Sequence, residues 1–158
     1  MTPRHEAALA YARAGVPIFP CVPDGTLNDK GEPSKAPATK NSFADATTDL
    51  DQINRWWARA DYNIGLEPGR IDQFVIDIDP RHGGDETWAK LITALHDVPT
   101  VRVIQTWSGG RHLYFAGHQP PGVKQFPRFG EGLDVRGDNS YVLVPPSCLG
   151  GVCYRRIS

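Results

Sequence analysis

Residues 73–79 read QFVIDID, and this stretch decides how the chain folds. Aromatic and β-branched residues dominate it and a proline follows it, so it predicts a β-strand. Successive side chains of a strand point to opposite faces of the sheet. Asp77 and Asp79 therefore share one face, whereas Ile76 and Ile78 pack on the other. The stretch predicts a sheet with one apolar face and two carboxylates on the opposite face.

Two carboxylates on one face of a strand repel each other unless a cation lies between them. Oxygen ligands of this kind suit Mg²⁺ or Mn²⁺. The pair of Asp77 and Asp79 is thus a candidate metal site. The alternative is that both are exposed aspartates at the end of the strand and cap the loop that follows.

A third carboxylate, Asp134, is the second residue of the predicted strand 133–137. Three carboxylates on neighbouring strands form a site for two metal ions, which can stabilise the attacking and leaving oxygens of a phosphoryl displacement. The alternative is an ordinary aspartate at a sheet edge, paired with Arg136.

Residues 108–112 read SGGRH, and the two glycines permit a tight turn whose backbone N–H groups can face an anion. Arg111 and His112 add donors for phosphate oxygens. Because they are neighbours on a strand, they point to opposite faces, and we expect His112 to be the one that faces the carboxylates. The alternative is a hairpin turn with a basic pair on the surface.

Hydrophobic periodicity divides the rest of the chain into short helices and strands, which indicates an α/β or α+β fold. Helices are predicted over residues 6–14, 50–60 and 85–96. Strands are predicted over residues 16–20, 63–66, 100–106, 111–115, 141–145 and 152–158. The loop 23–42 is long enough that we expect it to be functional or mobile.

The adjacent Trp56 and Trp57 cannot share one helix face, so one belongs to the core and the other is partly exposed. An exposed tryptophan ring can stack on a nucleobase, but a partly buried ring with a structural role is the commoner alternative.

In the loop 120–132, Lys124 and Arg128 interleave with phenylalanines. That pattern suits a contact with single-stranded DNA or a primer, and a solvated loop is the alternative.

The composition limits the classes of protein to which the chain can belong. The chain has 158 residues, 40% of them hydrophobic and 22% charged, which indicates one globular domain and excludes disordered and coiled-coil proteins. No apolar run is long enough to cross a membrane. The net charge is −1, but residues 1–100 carry 10 basic and 15 acidic side chains, whereas residues 101–158 carry 7 and 3. This asymmetry fits an acidic metal site that faces a basic anion site.

Three cysteines, Cys21, Cys148 and Cys153, cannot all pair. We expect free thiols in a reducing cytoplasm, with a zinc site of three cysteines and a histidine as the alternative. The N-terminus does not read as a signal peptide, so the sequence predicts a cytoplasmic location.

Taken together, these motifs make the chain resemble the bifunctional primase-polymerase (Prim-Pol) domain of plasmid and phage replication proteins, within the archaeo-eukaryotic primase superfamily. The resemblance covers nearly the whole chain. The matching blocks follow in order: 8–20, KAP at 35–37, FADATTD at 43–49, INRWW at 53–57, NIGL at 63–66, DID at 77–79, SGGRHLYF at 108–115, DVRG at 134–137 and YVLVPPS at 141–147.

The resemblance implies that Asp77, Asp79 and Asp134 bind two divalent cations, Mg²⁺ or Mn²⁺. It implies that His112 contacts the phosphates of an incoming nucleotide, and that the Ser108-Gly109-Gly110 turn assists.

The resemblance also implies lesser roles for four residues. Arg111 and Arg136 add positive charge near the nucleotide. Lys35 reaches the triphosphate or the template. Asn63 borders the nucleotide pocket or, as the alternative, is a hydrogen-bonding residue at the start of a strand.

The fold implied is an RRM-like mixed catalytic sheet joined to a smaller N-terminal α/β subdomain. The activity implied is template-directed nucleotidyl transfer from NTPs or dNTPs on single-stranded DNA with a primer. We expect residues 1–158 to be the catalytic core of a longer replication protein, followed by a helical region and a helicase domain, and to extend primers better than it starts them. The alternatives are a two-metal nuclease or phosphodiesterase and a non-catalytic nucleotide- or DNA-binding module.

Overall fold

The computed structural model of the chain describes residues 1–95, 100–118 and 131–158. Three α-helices lie in these residues: α1 (Pro3–Arg13), α2 (Leu50–Trp57) and α3 (Gly84–Leu95). The strands are β1 (Phe19–Cys21), β2 (Asn63–Leu66), β3 (Gln73–Ile78), β4 (Arg102–Gln105), β5 (Arg111–Ala116), β6 (Leu133–Arg136), β7 (Val142–Leu143), β8 (Cys148–Leu149), β9 (Val152–Cys153) and β10 (Arg155–Arg156). None of the described helices is both long and apolar enough to span a bilayer.

The larger sheet has five strands in the order β10-β4-β5-β3-β6, so β3 lies between β5 and β6. The prediction of an α+β fold is confirmed. Every strand pair among the described residues is antiparallel.

One face of this sheet packs against α3. Ile76 and Ile78 are buried there with Trp88 and Leu91 of the helix. The alternation read from residues 73–79 therefore assigns the apolar face of β3 correctly. Asp77 lies on the other face, which is turned away from α3.

The smaller unit is a three-stranded antiparallel sheet in the order β1-β2-β7, with α1 and α2 packed in the same core cluster. The sequence analysis expected an N-terminal subdomain, but β7 brings residues 142–143 into this unit. Gly65 of β2 lies against the ring of Phe19 of β1, where a Cβ atom would stand 2.7 Å from Phe19 Cε1.

The helix and strand ends follow local hydrogen bonds. Asp49 caps α2 by accepting from the backbone N–H groups of Asp51 and Gln52, as its residue type predicts. β1 begins later than predicted because the N–H of Val16 donates to the carbonyl of Tyr11 and so belongs to the turn after α1.

The long loop after β1 folds back along that strand. The N–H of Val22 donates to the carbonyl of Ala36, and the N–H of Ala38 donates to the carbonyl of Pro20. Pro37 lies opposite Cys21 between these two hydrogen bonds. The loop is thereby held beside the smaller sheet, and this placement decides where Lys35 and Lys40 lie.

The cysteines differ from expectation. Cys148 and Cys153 are joined by a disulfide bond, whereas Cys21 is buried and free. The prediction of three free thiols is wrong for two of them because β8 and β9 pair antiparallel with Cys148 directly opposite Cys153.

Candidate functional site

Three polar side chains form a row across the face of the larger sheet that α3 does not cover. Asp77 of β3 lies directly opposite His112 of β5 and, on its other side, directly opposite Asp134 of β6. Residues paired in this way point to the same face of a sheet. His112 Nε2 lies 3.5 Å from Asp77 Oδ1. The structure thus brings together three of the residues that the sequence singled out.

A cavity of about 180 Å³ is lined by two members of this row, Asp77 and His112, but not by Asp134. Asp77, His112 and the phenol ring of Tyr154 line it from one side. Lys35 and Arg136 contribute positive charge to its lining. Side chains from the region of β7 complete the lining: Tyr141, Val142 and Leu143. The cavity therefore lies between the two sheets and combines two cations, one carboxylate and one imidazole.

The environment of Asp77 keeps its carboxyl group ionised. Burial alone would raise the pKa of Asp77, but the contact with His112 and the charges of Lys35 and Arg136 outweigh burial. The pKa of Asp77 consequently lies below its usual value. A carboxylate that stays charged when partly buried is the form that binds a cation.

Lys35 reaches the cavity from the loop beside β1. Its residue as a whole is exposed, yet surrounding protein partly desolvates the ammonium group and lowers its pKa. Asp77 acts in the opposite direction, because a nearby carboxylate favours the charged amine. Lys35 therefore contributes a basic side chain to the lining of the cavity.

Asp79 does not extend the row of carboxylates. β3 ends at Ile78, and Asp79 instead caps the short turn Pro80–His82. Its carboxylate accepts hydrogen bonds from Arg81 Nε and Nη2 at 3.1 and 2.9 Å and lies 3.0 Å from His82 Nδ1. The bonds from Arg81 are the main reason that the pKa of Asp79 falls to about 2.

The three aspartates fit a divalent cation only in part. Carboxylate oxygens are suitable ligands for Mg²⁺ or Mn²⁺, and Asp77 and Asp134 face the same side on adjacent strands. Arg81 and His82, however, occupy the oxygens of Asp79. Accordingly, no group of three or more His, Cys, Asp or Glu within the described ranges is arranged to hold a metal ion.

The Ser-Gly-Gly turn joins β4 to β5 beside the end of β3. Gly109 has a positive φ of +81°, and a Cβ atom on Gly110 would collide with the carbonyl oxygen of Ile78. Ser108 Oγ lies 3.4 Å from Thr106 Oγ1. Both glycines are thus required by the local backbone, whatever the turn binds.

The two arginines expected near the nucleotide separate. Arg111 lies on the face covered by α3 and donates to Asp85 Oδ1 at 3.0 Å. Its expected place beside the nucleotide is therefore corrected, since strand alternation turns it away from His112. Arg136 lines the cavity and also donates to Asp134 Oδ2 at 3.3 Å, the ion pair that the sequence offered as an alternative.

Asn63 is not among the residues that line the cavity. It is fully buried at the start of β2, where its amide donates to the carbonyls of Val22 and Cys148 and accepts from the N–H of Cys148. The placement matches the structural alternative for this residue. Lys124 and Arg128 lie outside the described residues.

Sequence reasoning missed the two tyrosines of the cavity. Tyr154 is 2% exposed, its ring lies 5.7 Å from that of His112, and its hydroxyl has no hydrogen-bond partner among the described residues. Tyr141 donates to the carbonyl of Lys35 at 3.1 Å. Tyr154 stands near no motif in the sequence, and Tyr141 begins the block YVLVPPS but was not singled out as a site residue. Only the pairing of distant strands reveals that both line the cavity.

Comparison with protein families gives one match. Residues 8–158 match the family Prim-Pol, described as "Bifunctional DNA primase/polymerase, N-terminal". A search of curated proteins found no match.

Proposed function

The chain belongs to the Prim-Pol family of bifunctional DNA primase/polymerase N-terminal domains, and from this premise we propose that it catalyses template-directed nucleotidyl transfer. It is a domain of the DNA primase/polymerase type. The proposed reaction joins the 3′-hydroxyl of a primer to the α-phosphorus of a nucleoside triphosphate and breaks the bond from that phosphorus to pyrophosphate.

The observation that carries the proposal is the row of Asp77, His112 and Asp134 beneath a cavity with two cations. Lys35 and Arg136 supply the positive charge. A triphosphate needs cations and hydrogen-bond donors, whereas the reaction at its α-phosphorus needs carboxylates close by. The cavity of about 180 Å³ provides two cations and the carboxylate of Asp77. Asp134 lies directly opposite Asp77 on the adjacent strand.

We propose that His112 and Lys35 hold the phosphates. His112 donates from its ring, and Lys35 and Arg136 neutralise charge, with the backbone of the 108–110 turn nearby. In phosphoryl transfer such positioning and neutralisation account for most of the catalysis. The cavity suits part of a nucleotide, since whole drug-sized ligands occupy about 300–1,000 Å³.

We propose that Asp77 and Asp134 hold divalent cations, Mg²⁺ or Mn²⁺, and that Asp79 joins them once it leaves Arg81 and His82. Two such ions, when bound, activate the attacking hydroxyl and stabilise the departing pyrophosphate. Asp77 contributes because it remains charged although partly buried.

We further propose that the domain acts in the cytoplasm on single-stranded DNA with a primer, in the replication of a plasmid or phage. Residues 1–158 alone are proposed to extend primers better than they start them. Synthesis of new primers would then require the helical region proposed to follow, with a helicase domain unwinding the template.

A primer-extension assay with Mg²⁺ and Mn²⁺, in dNTPs and in NTPs, tests the proposal. The Asp77→Asn variant should lose activity at least about 100-fold, while its circular dichroism stays that of the wild type. Asp85→Asn is the matched control, because Asp85 pairs with Arg111 on the opposite face.

The products decide between reaction classes. Pyrophosphate released from the triphosphate supports nucleotidyl transfer. Mononucleotides released from DNA would indicate a nuclease instead. Full extension by a folded Asp77→Asn variant would contradict the assignment of the site.

A further inference from the structure

A second groove lies outside the catalytic cavity, and we propose that it binds single-stranded DNA. The groove has a volume of about 500 Å³. It runs between residues 38–49 on one side and helix α2 with Tyr62 on the other. We call it the α2 groove. It shares no lining residue with the cavity over Asp77.

Two cations line the α2 groove without forming an ion pair among the described residues. Lys40 and Arg59 are both exposed and line the groove. Within the described part of the chain, neither forms an ion pair. Free cations on the rim of a groove suit the phosphates of a nucleic-acid strand.

The carboxylates of the groove are already engaged by local groups. Asp45 accepts from the backbone N–H and the side-chain amide of Asn41, which lowers its pKa. Asp49 accepts from two N–H groups at the start of α2. Hydrogen bonds from local donors thus stabilise both carboxylates, and the nearby charge of Lys40 contributes to the lowered pKa of Asp45.

Aromatic surface adjoins the free cations. Trp56 is half-buried: it packs against the core cluster and also lines the groove. Tyr62 lines it as well, and its ring is fixed edge-on to Trp57 at 6.2 Å. Exposed aromatic faces flanked by Lys and Arg bind single strands because bases stack on the rings and phosphates meet the cations.

A short segment of the chain connects the groove to the catalytic cavity. Lys35 lines the cavity and Lys40 lines the groove, and the segment between them is held along β1. Five residues span at most about 17 Å. About five stacked nucleotides have the same length. A template strand in the groove would therefore lie a few nucleotides from the reacting one. Only this last step rests on the proposed function.

Fluorescence anisotropy with a fluorescein-labelled oligo-dT, in EDTA and without nucleotide, tests the proposal. The double variant Lys40→Glu/Arg59→Glu should bind at least about ten-fold more weakly, and the slope of log K against log salt should fall by about 1.4. The control Arg13→Glu/Lys90→Glu makes the same change of net charge at exposed helix positions and should change affinity less than about two-fold.

A second pair of variants tests the stacking. Trp56→Leu keeps apolar bulk but no ring and should weaken binding about five-fold or more, whereas Trp56→Phe should retain most of the affinity. Equal weakening in the Arg13/Lys90 control would show that only bulk charge matters and would overturn the proposal. Failure of the wild type to bind oligo-dT would do the same.

The two proposals can fail independently. The binding assay contains no metal and no triphosphate, so its result does not depend on the proposed catalysis. Primer extension without groove-dependent binding would overturn the DNA groove alone. Groove-dependent binding without extension would overturn the proposed catalysis alone.

Discussion

The imidazole of His112 and the carboxylate of Asp77 face each other across strands β5 and β3, with Nε2 3.5 Å from Oδ1. His112 is 3% exposed, and its Nδ1 has no hydrogen-bond partner among the described residues. A buried polar atom without a partner is costly unless something else satisfies it. We therefore expect the unpaired ring nitrogen of His112, which lines the cavity, to gain a hydrogen-bond partner when nucleotide binds.

Replacing His112 should mainly weaken nucleotide binding. We expect His112→Ala to raise the KM for the triphosphate about ten-fold or more, because a hydrogen bond to a charged group contributes about 1.5–3 kcal/mol. Steady-state kinetics of primer extension measures this. His118→Ala is the control, since His118 is exposed and lies 3.2 Å from Asp72. An unchanged KM in the His112 variant would contradict its role.

The position of Asp77 could be predicted because alternation within one strand is a local property. Ile76 and Ile78 bury one face, so Asp77 must take the other. The same rule separated His112 from Arg111. The rule does not apply to Asp79 because β3 ends at Ile78. Beyond the end of a strand, alternation no longer decides where a side chain points.

Contacts between distant segments could not be predicted from periodicity. Tyr154 meets His112 only because β10 pairs with β4 and thereby brings the C-terminal segment to the larger sheet. The Cys148–Cys153 bond depends on the register of two strands of two residues each. Such short strands carry too few residues to show a period.

The two glycines of the 108–110 turn should respond differently to alanine. A Cβ on Gly110 would stand 3.1 Å from Pro80 Cδ and closer still to Ile78 O, whereas a Cβ on Gly109 meets open space. Gly110→Ala should therefore lower the free energy of unfolding by about 1–3 kcal/mol and raise the KM for nucleotide, because the turn must move.

Gly109→Ala is the matched variant for that test. Its backbone has a φ of +81°, so alanine should cost about 1–2 kcal/mol through strain alone. Urea denaturation and extension kinetics separate the two effects. A normal KM in Gly110→Ala would show that the turn does not contribute to the nucleotide site.

The disulfide bond between Cys148 and Cys153 predicts how many cysteines react with a thiol reagent. In guanidinium chloride without reductant, a thiol reagent should find one cysteine, Cys21, and after reduction it should find three. Reduction should also lower the free energy of unfolding by about 2 kcal/mol, as expected for a short loop. The Cys148→Ser/Cys153→Ser variant should no longer respond to reductant. Three thiols before reduction would contradict the bond.

The ion pair between Asp79 and Arg81 should make stability depend on pH. Arg81 holds the pKa of Asp79 at about 2, below its usual 3.8. A carboxyl group whose pKa is lowered on folding stabilises the protein above the unfolded value, and this contribution is lost as pH falls through the folded value. The stabilisation should therefore be complete at neutral pH and disappear between about pH 4 and pH 2.

Arg81→Ala should remove this contribution and free the oxygens of Asp79 at the same time. We expect unfolding at pH 7 to become easier by up to about 1 kcal/mol, because Arg81 is half-exposed, and the difference from wild type to vanish near pH 2. Urea denaturation from pH 2 to pH 7 measures this difference in stability, with Arg13→Ala at an exposed position as control.

Because a carboxylate bound to arginine is less available to a cation, Arg81→Ala should also bind Mn²⁺ more tightly in the absence of nucleotide. Weaker Mn²⁺ binding would instead mean that Arg81 orients Asp79 for the metal.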